Sequence, residues 1–424
     1  MDKNTCVVYA PIETFSGYGS RARDIVKTLI ELRKEIWDIK IISCSWGSTP
    51  MSFLADNEIE WGWLKEYILQ GSLNYKPDYM FFVTIPSEFQ PIGKFNIGCT
   101  AGIETTVCDG SWLEGLNRMD VNWVSSNHSK NIFQSLKFNK VDQQGNQLGT
   151  LQVEKPIEVV FEGCNPDIYC PIQNDNEFNL DEVKEDFAFL FNSSWIGPSL
   201  MDDRKGLGEL IKLFFETFKN NHKAPALVLK TSIGTSSYMS KDEILRRILK
   251  IRKTVDYETL PNIYLLNGNI TDEDINNLYN HPKIKAMIML TRGEGWGRSL
   301  LEFSLVNKPI ITTNWSGQLD FLDPSLTTLL PGELKQVHPS AVNQWILKEA
   351  KWFQVDHQAA MNAMKDMFNN YKKYQTKAIK QGYKNRSTFS YIKMKELIDK
   401  LLTRDVPKLS VYQPVVLPKL QKIE

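Results

Sequence analysis

Two carboxylates, Glu294 and Glu302, stand with seven residues between them in the stretch TRGEGWGRSLLE at 291–302. The apolar run Ala286 to Leu290 (AMIML) leads into it as a short buried strand would. Gly293, Gly295 and Gly297 then loosen the backbone, and LLEFSL continues with helical spacing. The pattern predicts strand, tight loop and helix. A helix that begins near Gly297 presents unpaired amide N–H groups and the positive end of its dipole, which is a seat for an anion such as a diphosphate. Carboxylates beside that seat would repel a bare phosphate. They fit if they accept hydrogen bonds from hydroxyls on either side of the phosphates, one set from a sugar and one from a ribose.

Departure of a diphosphate needs positive charge. Lys205 and Lys230 are the candidates, because an ammonium is a compact charge able to follow the phosphate as its bond to the sugar breaks; the plain alternative for either is a surface lysine. Asp202-Asp203 and Asp272-Glu273-Asp274 invite comparison with metal ligands. The second group follows Thr271 at a predicted helix start, where acidic residues suit the dipole, and no metal is expected. The five histidines are scattered without ligand spacing.

These residues need a scaffold. Cys6 to Ala10 (CVVYA), the loop SGYGS with Gly17, Tyr18 and Gly19, and a segment with Ile25, Leu29 and Leu32 on one face predict strand, glycine turn and helix. Further buried strands are predicted at 39–44, 79–85, 96–103, 121–125 and 157–161, then at Phe187 to Phe191 and at the runs beginning with Ala226, Ile263, Ala286, Pro309 and Thr327. Helical patterns lie between many of them, including 61–69 and 129–136. Strands alternating with helices argue for α/β architecture with parallel, doubly wound sheets, which bind ligands at the carboxyl ends of their strands. Residues 137–155 are polar and predict a loop, 163–184 have the composition of an interdomain linker, and the pattern over 340–404 is helical, with 389–402 as the last helix. The tail, 406–424, contains three prolines and predicts extended chain.

With 424 residues the chain is long enough for two domains, and 50 basic against 50 acidic residues create no global field toward nucleic acid or anionic lipid. Six cysteines without C-x-x-C spacing fit a reducing, cytoplasmic setting. The N-terminus lacks the apolar stretch of a signal peptide and no segment approaches a membrane span, so any membrane association is expected to be peripheral.

The spaced glutamates resemble the signature of retaining nucleotide-sugar glycosyltransferases of the GT-B fold, especially glycosyltransferase family 4 (group 1) as found in T4-like bacteriophages. Arg204-Lys205-Gly206 before the helix LGELIKLFFETF, the strand ALVLKT, Leu278-Tyr279 and TTNWSGQLDF fall in that family's order. In the first half, YAPIETFSGYGSRARD and VVFEGCNPDIYCP match its glycine loop and interdomain segment, so the likeness covers roughly residues 5–325. It implies two Rossmann-like domains facing across a cleft: 1–165 on the acceptor side, joined by a C-terminal crossover helix at about 387–424, and 175–386 on the donor side.

The resemblance implies a retaining hexosyl- or pentosyltransferase using a nucleoside-diphosphate sugar, most often a UDP-sugar, with no other cofactor. Glu294, Lys205 and Glu104 would act at the reacting centre. Gly17, Tyr18, Gly19, Arg204, Lys230, Gly295, Trp296, Gly297, Arg298 and Glu302 would hold the donor. Many members carry a histidine where Glu104 stands; a Glu-Thr variant followed by Trp112, Asn117 and Asp120 fits a sub-group. An arginine that the family often places ahead of the lysine is replaced by Asn192-Ser193-Ser194-Trp195, leaving Arg204 or Arg298 to substitute. The acceptor is open between a saccharide and hydroxymethylated DNA; a phage-encoded enzyme would work in the host cytoplasm. Residues 371–404 carry ten basic residues against Glu396 and Asp399, which suits either a solvated helical face or phosphate binding. The alternative from a different class is a catalytically silent GT-B binding module.

Overall fold

The structure is a computed structural model that describes residues 3–141, 144, 146–172, 178–234 and 237–409. The first half runs β1 (Asn4–Ala10), α1 (Gly17–Arg33), β2 (Trp37–Ser43), α2 (Phe53–Asp56), α3 (Glu58–Trp61), β3 (Tyr79–Val83), β4 (Phe95–Thr100), α4 (Gly110–Arg118), β5 (Val121–Val124), α5 (Asn127–Ser135), β6 (Phe138–Val141), β7 (Gln147–Leu151) and β8 (Ile157–Val159). The second runs β9 (Ala188–Asn192), α6 (Leu207–Phe218), β10 (Ala226–Lys230), α7 (Tyr238–Arg252), β11 (Ile263–Leu266), α8 (Asp272–Asn280), β12 (Ile284–Met289), α9 (Arg298–Leu305), β13 (Ile310–Thr313), β14 (Thr328–Leu330), β15 (Gly332–Gln336), β16 (Lys351–Val355), α10 (His357–Asn369), α11 (Tyr371–Thr388) and α12 (Tyr391–Asp405).

Six strands of the first half form a parallel sheet in the order β2-β1-β3-β4-β5-β8. Six of the second form another, β11-β10-β9-β12-β13-β14, also parallel. The strand sequences explain why. YMFFV and the first four residues of AFLFN are buried on both faces, and such runs need helices on each side of the sheet, which the crossovers supply. Both domains are therefore Rossmann-like. In each, strand order reverses beside the first strand, between β1 and β3 and between β9 and β12. Ligand crevices open at such switch points, at the carboxyl ends of the strands. The loops after β1, β9 and β12 carry Gly17, Lys205 and Glu294.

Helix starts follow local capping chemistry. Ser16 Oγ accepts the Gly19 amide at 2.9 Å, and Thr271 Oγ1 accepts the Asp274 amide at 3.1 Å, so the Asp272–Asp274 acids sit in the first turn of α8. The last helix, α12, puts Met394, Ile398, Leu401 and Leu402 into the core of the first domain. Lys395–Glu31 (2.9 Å) and Arg33–Asp399 (2.8 Å) flank that contact.

Three local expectations are corrected. Residues 340–404 are not helical from their start: β15 and β16 form an antiparallel hairpin, and helix starts at His357, where Asp356 accepts the Ala359 amide. Trp352 and Phe353 are buried in strand β16 while Trp345 is 48% exposed, so their spacing served a hairpin and its connecting turn. The polar segment 137–155 contains the β6–β7 hairpin. Residues 61–69 hold only the end of α3 and a 3-10 turn over Gly62–Tyr67. The predicted extended tail lies, from residue 410 onward, outside the described residues.

Candidate active site

A cavity of about 610 Å³ lies between the two domains, lined from the first by Gly17, Tyr18, Trp46, Glu104 and Glu162 and from the second by Arg204, Lys205, Glu294, Gly295, Trp296, Gly297 and Arg298. A larger hollow of about 830 Å³ sits on the second domain around Glu209 and His357, away from these residues.

At the floor of the cleft, Lys205 Nζ is 2.7 Å from both Glu294 carboxylate oxygens, and Arg204 Nη1 lies 3.8 Å from Oε2. Thr291 Oγ1 donates to Glu294 Oε1 at 2.7 Å. Burial alone would push the Glu294 carboxyl up, but Lys205 and Arg204 outweigh it and hold it below its usual range. Burial lowers Lys205, with Glu294 pulling the other way. Arg204 also reaches across the cleft to Glu104 of the first domain, 3.4 Å away, and donates to Gly293 O at 2.6 Å. Asp203 holds Lys205 in place, its carboxylate accepting the Lys205 amide at 3.1 Å and the Gly208 amide at 3.0 Å at the start of α6. Sequence reasoning weighed Asp202-Asp203 only as metal ligands; a buried Asp three residues ahead of a helix N-cap glycine was the available sign of this role.

Gly297 caps α9 in the left-handed region (φ 99°), a conformation that glycine adopts without strain, so the loop that follows β12 can turn into the helix. Gly293 and Gly295 serve a different purpose from the one their spacing suggested. A Cβ on Gly293 would stand 2.0 Å from Glu104 O, and one on Gly295 would stand 2.2 Å from Ala101 O. They let the second domain's loop press against the first. Ser125 Oγ donates to Gly295 O at 3.1 Å, and Asn127 N donates to Asp320 Oδ2 at 2.8 Å. Gly19 is tight against Thr14, with a Cβ 2.3 Å from its carbonyl oxygen, whereas nothing within 4 Å would meet a Cβ at Gly17. Of the two, only Gly17 opens onto the cleft.

Other expected donor residues are placed less directly. Arg298 crosses to Asp24 on α1 (Nη1–Oδ2 2.5 Å) and binds Glu302 (Nε–Oε1 3.0 Å). Glu302 is buried and does not line the cavity; burial pushes its carboxyl up to about 8, with Arg298 pulling against it. Lys230 ends β10, half-buried and outside the cavity lining, with burial lowering its ammonium. Trp296 is 2% exposed and packs into an aromatic cluster with Phe161, Phe321 and Phe389.

No protein-family model and no curated protein matches the chain. Solved structures do. Anabaena HepE in complex with UDP and glucose is similar over 94% of this chain and 99% of its own, with a TM-score of 0.62 at 12% identity. Sucrose-phosphate synthase from Thermosynechococcus elongatus gives 0.62 at 12% identity over 95% and 99%. A glycosyltransferase from Rickettsia africae gives 0.60 at 13% identity over 96% and 99%.

The chain has the GT-B fold.

In this GT-B cleft the pieces that face each other are a cationic pair (Arg204, Lys205), two carboxylates on opposite walls (Glu294, Glu104) and the amide end of α9. That set can bind an anion, hold hydroxyls and stabilise a departing negative charge. No helix among the described residues is long and apolar enough to cross a membrane.

Proposed function

We propose that the protein is a retaining glycosyltransferase that moves a sugar from a nucleoside-diphosphate sugar, a UDP-sugar first, to an acceptor hydroxyl without a metal. The observation that carries this reading is the Lys205–Glu294–Arg204 cluster at the switch point of the second sheet, facing Glu104 across the cleft. The crystallised HepE complexes hold UDP and UDP-glucose, which supports the choice of donor.

The donor diphosphate sits at the amide end of α9, with Lys205 and Arg204 beside its outer phosphate. Lys205 then leaves Glu294 for the phosphate, and Glu294 is freed to accept hydrogen bonds from the sugar. As the glycosidic bond breaks, charge builds on the phosphate, and two fixed cations stabilise it more in the transition state than in the ground state. The acceptor hydroxyl enters from the face the phosphate is leaving and passes its proton to that phosphate, so configuration is retained through a short-lived ion pair. The covalent route needs a free carboxylate on the sugar's opposite face. With the donor bound, Glu294 still accepts from Thr291 and its remaining capacity goes to the sugar hydroxyls, while Glu104 is engaged by Arg204, so both are better suited to positioning. Glu302 reaches a ribose only by giving up Arg298, and we assign it a supporting role at that end of the donor.

For the acceptor, a saccharide hydroxyl and a hydroxymethylated DNA base both fit a cleft of this chemistry. Offering purified protein a panel of nucleotide sugars with glycans or hydroxymethylated DNA, and weighing the products by mass spectrometry, tests the function. Failure to transfer or hydrolyse any donor would refute it.

A further inference from the structure

We infer that Trp46, a residue of the first domain, is the stacking surface for the donor's nucleobase, so that the base is held between the two domains. The inference rests on the nucleotide-sugar reading above. It begins from the direction in which a nucleoside can leave the phosphate site. On the side of β13 the cleft is filled by protein: Ser125 meets Gly295, Asn127 meets Asp320, and Gly293 lies against the Glu104 carbonyl. Among the described residues, the free direction runs the other way along the second sheet, from β9 toward β10 and β11. Neighbouring strands are about 4.8 Å apart, so the ends of β10 and β11 lie roughly 5 and 10 Å from β9, the reach of a ribose and then its base. The cavity lining there consists of Ser232, Ile233, Gly234 and Asn269.

What covers that end comes from the first domain. The loop after β2 crosses the cleft until Ser48 Oγ stands 3.6 Å from where a Cβ on Gly234 would be. Its aromatic residue is Trp46, half-buried and part of the cavity lining. One side of the indole is stacked on Tyr18, with ring centroids 3.9 Å apart and planes inclined by 27°. Tyr18 is itself fixed: its hydroxyl pairs with Thr100 Oγ1 at 2.8 Å and accepts from the Ala101 amide at 3.2 Å. The result is a plate that loses little freedom when a ligand lands on it. The cavity's other aromatic side chains are committed elsewhere: Phe15 edge-on to Phe53 (5.1 Å), Tyr18 to Trp46, and Trp296 to its buried cluster. The second domain offers aliphatic Ile233 and Ile196 at this end. A planar heterocycle between Ile233 and the Trp46 indole completes the enclosure, and binding of the nucleotide then favours the closed pair of domains.

Isothermal titration tests this with the nucleoside diphosphate that the wild type binds, chosen from UDP, GDP, ADP and CDP, and with inorganic pyrophosphate as the base-free probe. Loss of one base-aromatic stack predicts a Kd raised about 10- to 100-fold in Trp46→Ala, with Trp46→Phe close to wild type and pyrophosphate binding unchanged in both. Trp46→Leu, which keeps apolar bulk against Tyr18, serves if the alanine variant does not fold, and it should show the same selective loss. Unchanged nucleotide affinity in the alanine or leucine variant overturns the inference. So does an equal loss for pyrophosphate, or intact nucleotide binding with a raised KM for acceptor, which would move the indole to the acceptor site. A wild type that binds no nucleoside diphosphate would instead sink the function itself.

Discussion

Replacing Lys205 with Met separates its structural role from its chemical one. Its ammonium touches both oxygens of Glu294, a carboxylate only 5% exposed, at 2.7 Å. Removing one partner of a buried pair typically costs about 3–5 kcal/mol, because the other charge is left without compensation. Here Arg204 at 3.8 Å and the Thr291 hydroxyl at 2.7 Å remain, so a loss of about 2–3 kcal/mol is expected for Lys205→Met, read from denaturant midpoints at constant slope. The double variant Lys205→Met/Glu294→Gln strands no charge, and its loss should fall below about 1 kcal/mol. Turnover behaves differently. Deleting one cation that stabilises the leaving phosphate should lower kcat about 100-fold, and the second substitution should not restore it. The reasoning fails if Lys205→Met is as stable as wild type, if the double variant is as unstable as the single, or if turnover is unchanged.

Three further outcomes are expected. Glu104→Gln should transfer sugar slowly but measurably, and intact-mass spectra of wild type with donor alone should show no sugar adduct; an adduct on a Glu104 peptide would restore the covalent route. Gly293→Ala should open the cleft, since its Cβ would collide with the Glu104 carbonyl at 2.0 Å, and small-angle scattering should show a larger radius of gyration together with a loss of transfer greater than about 10-fold. A wild-type-like radius would mean the loop yields instead. His128, edge-on to Trp315, is held by burial at about 4 against 6.5 for a free imidazole. The unfolded chain therefore takes up a proton before the folded one does, so stability should fall as pH drops from 6.5 toward 4, by up to about 3 kcal/mol, and His128→Phe should flatten that slope.

What could be read from the residues and what could not divides along the range of the interactions. The signature loop was legible because strand, glycine turn and helix are written in neighbouring residues: Ile284–Met289, Gly297 and Arg298–Leu305 follow each other in the chain and in space. The alternation of buried runs with amphipathic helices likewise announced two parallel sheets, since a strand buried on both faces has few other homes. The hairpin at β15–β16 was not legible. Its strands pair Gly332 with Val355 and Gln336 with Lys351 across an intervening segment, and of the apolar residues that read as helical, Trp345 and Leu347 lie in that segment and Trp352 in β16.

The glycines are the harder case. Three alternating glycines before a helix read locally as a loop made pliable for an anion, and for Gly297 the left-handed φ of 99° agrees. For Gly293 and Gly295 the demand comes from Glu104 and Ala101, 189 and 194 residues earlier in the chain, whose carbonyl oxygens occupy the space a side chain would need. Arg298 follows the same logic: a local reading pairs it with the phosphate or with Glu302 four residues on, while the 2.5 Å contact that fixes it belongs to Asp24 on the other domain. Residues that face a cleft between two domains answer to both of them. The contacts that decide their roles are those made when the domains meet, so a change at Gly293 or Arg298 acts on closure as much as on the donor.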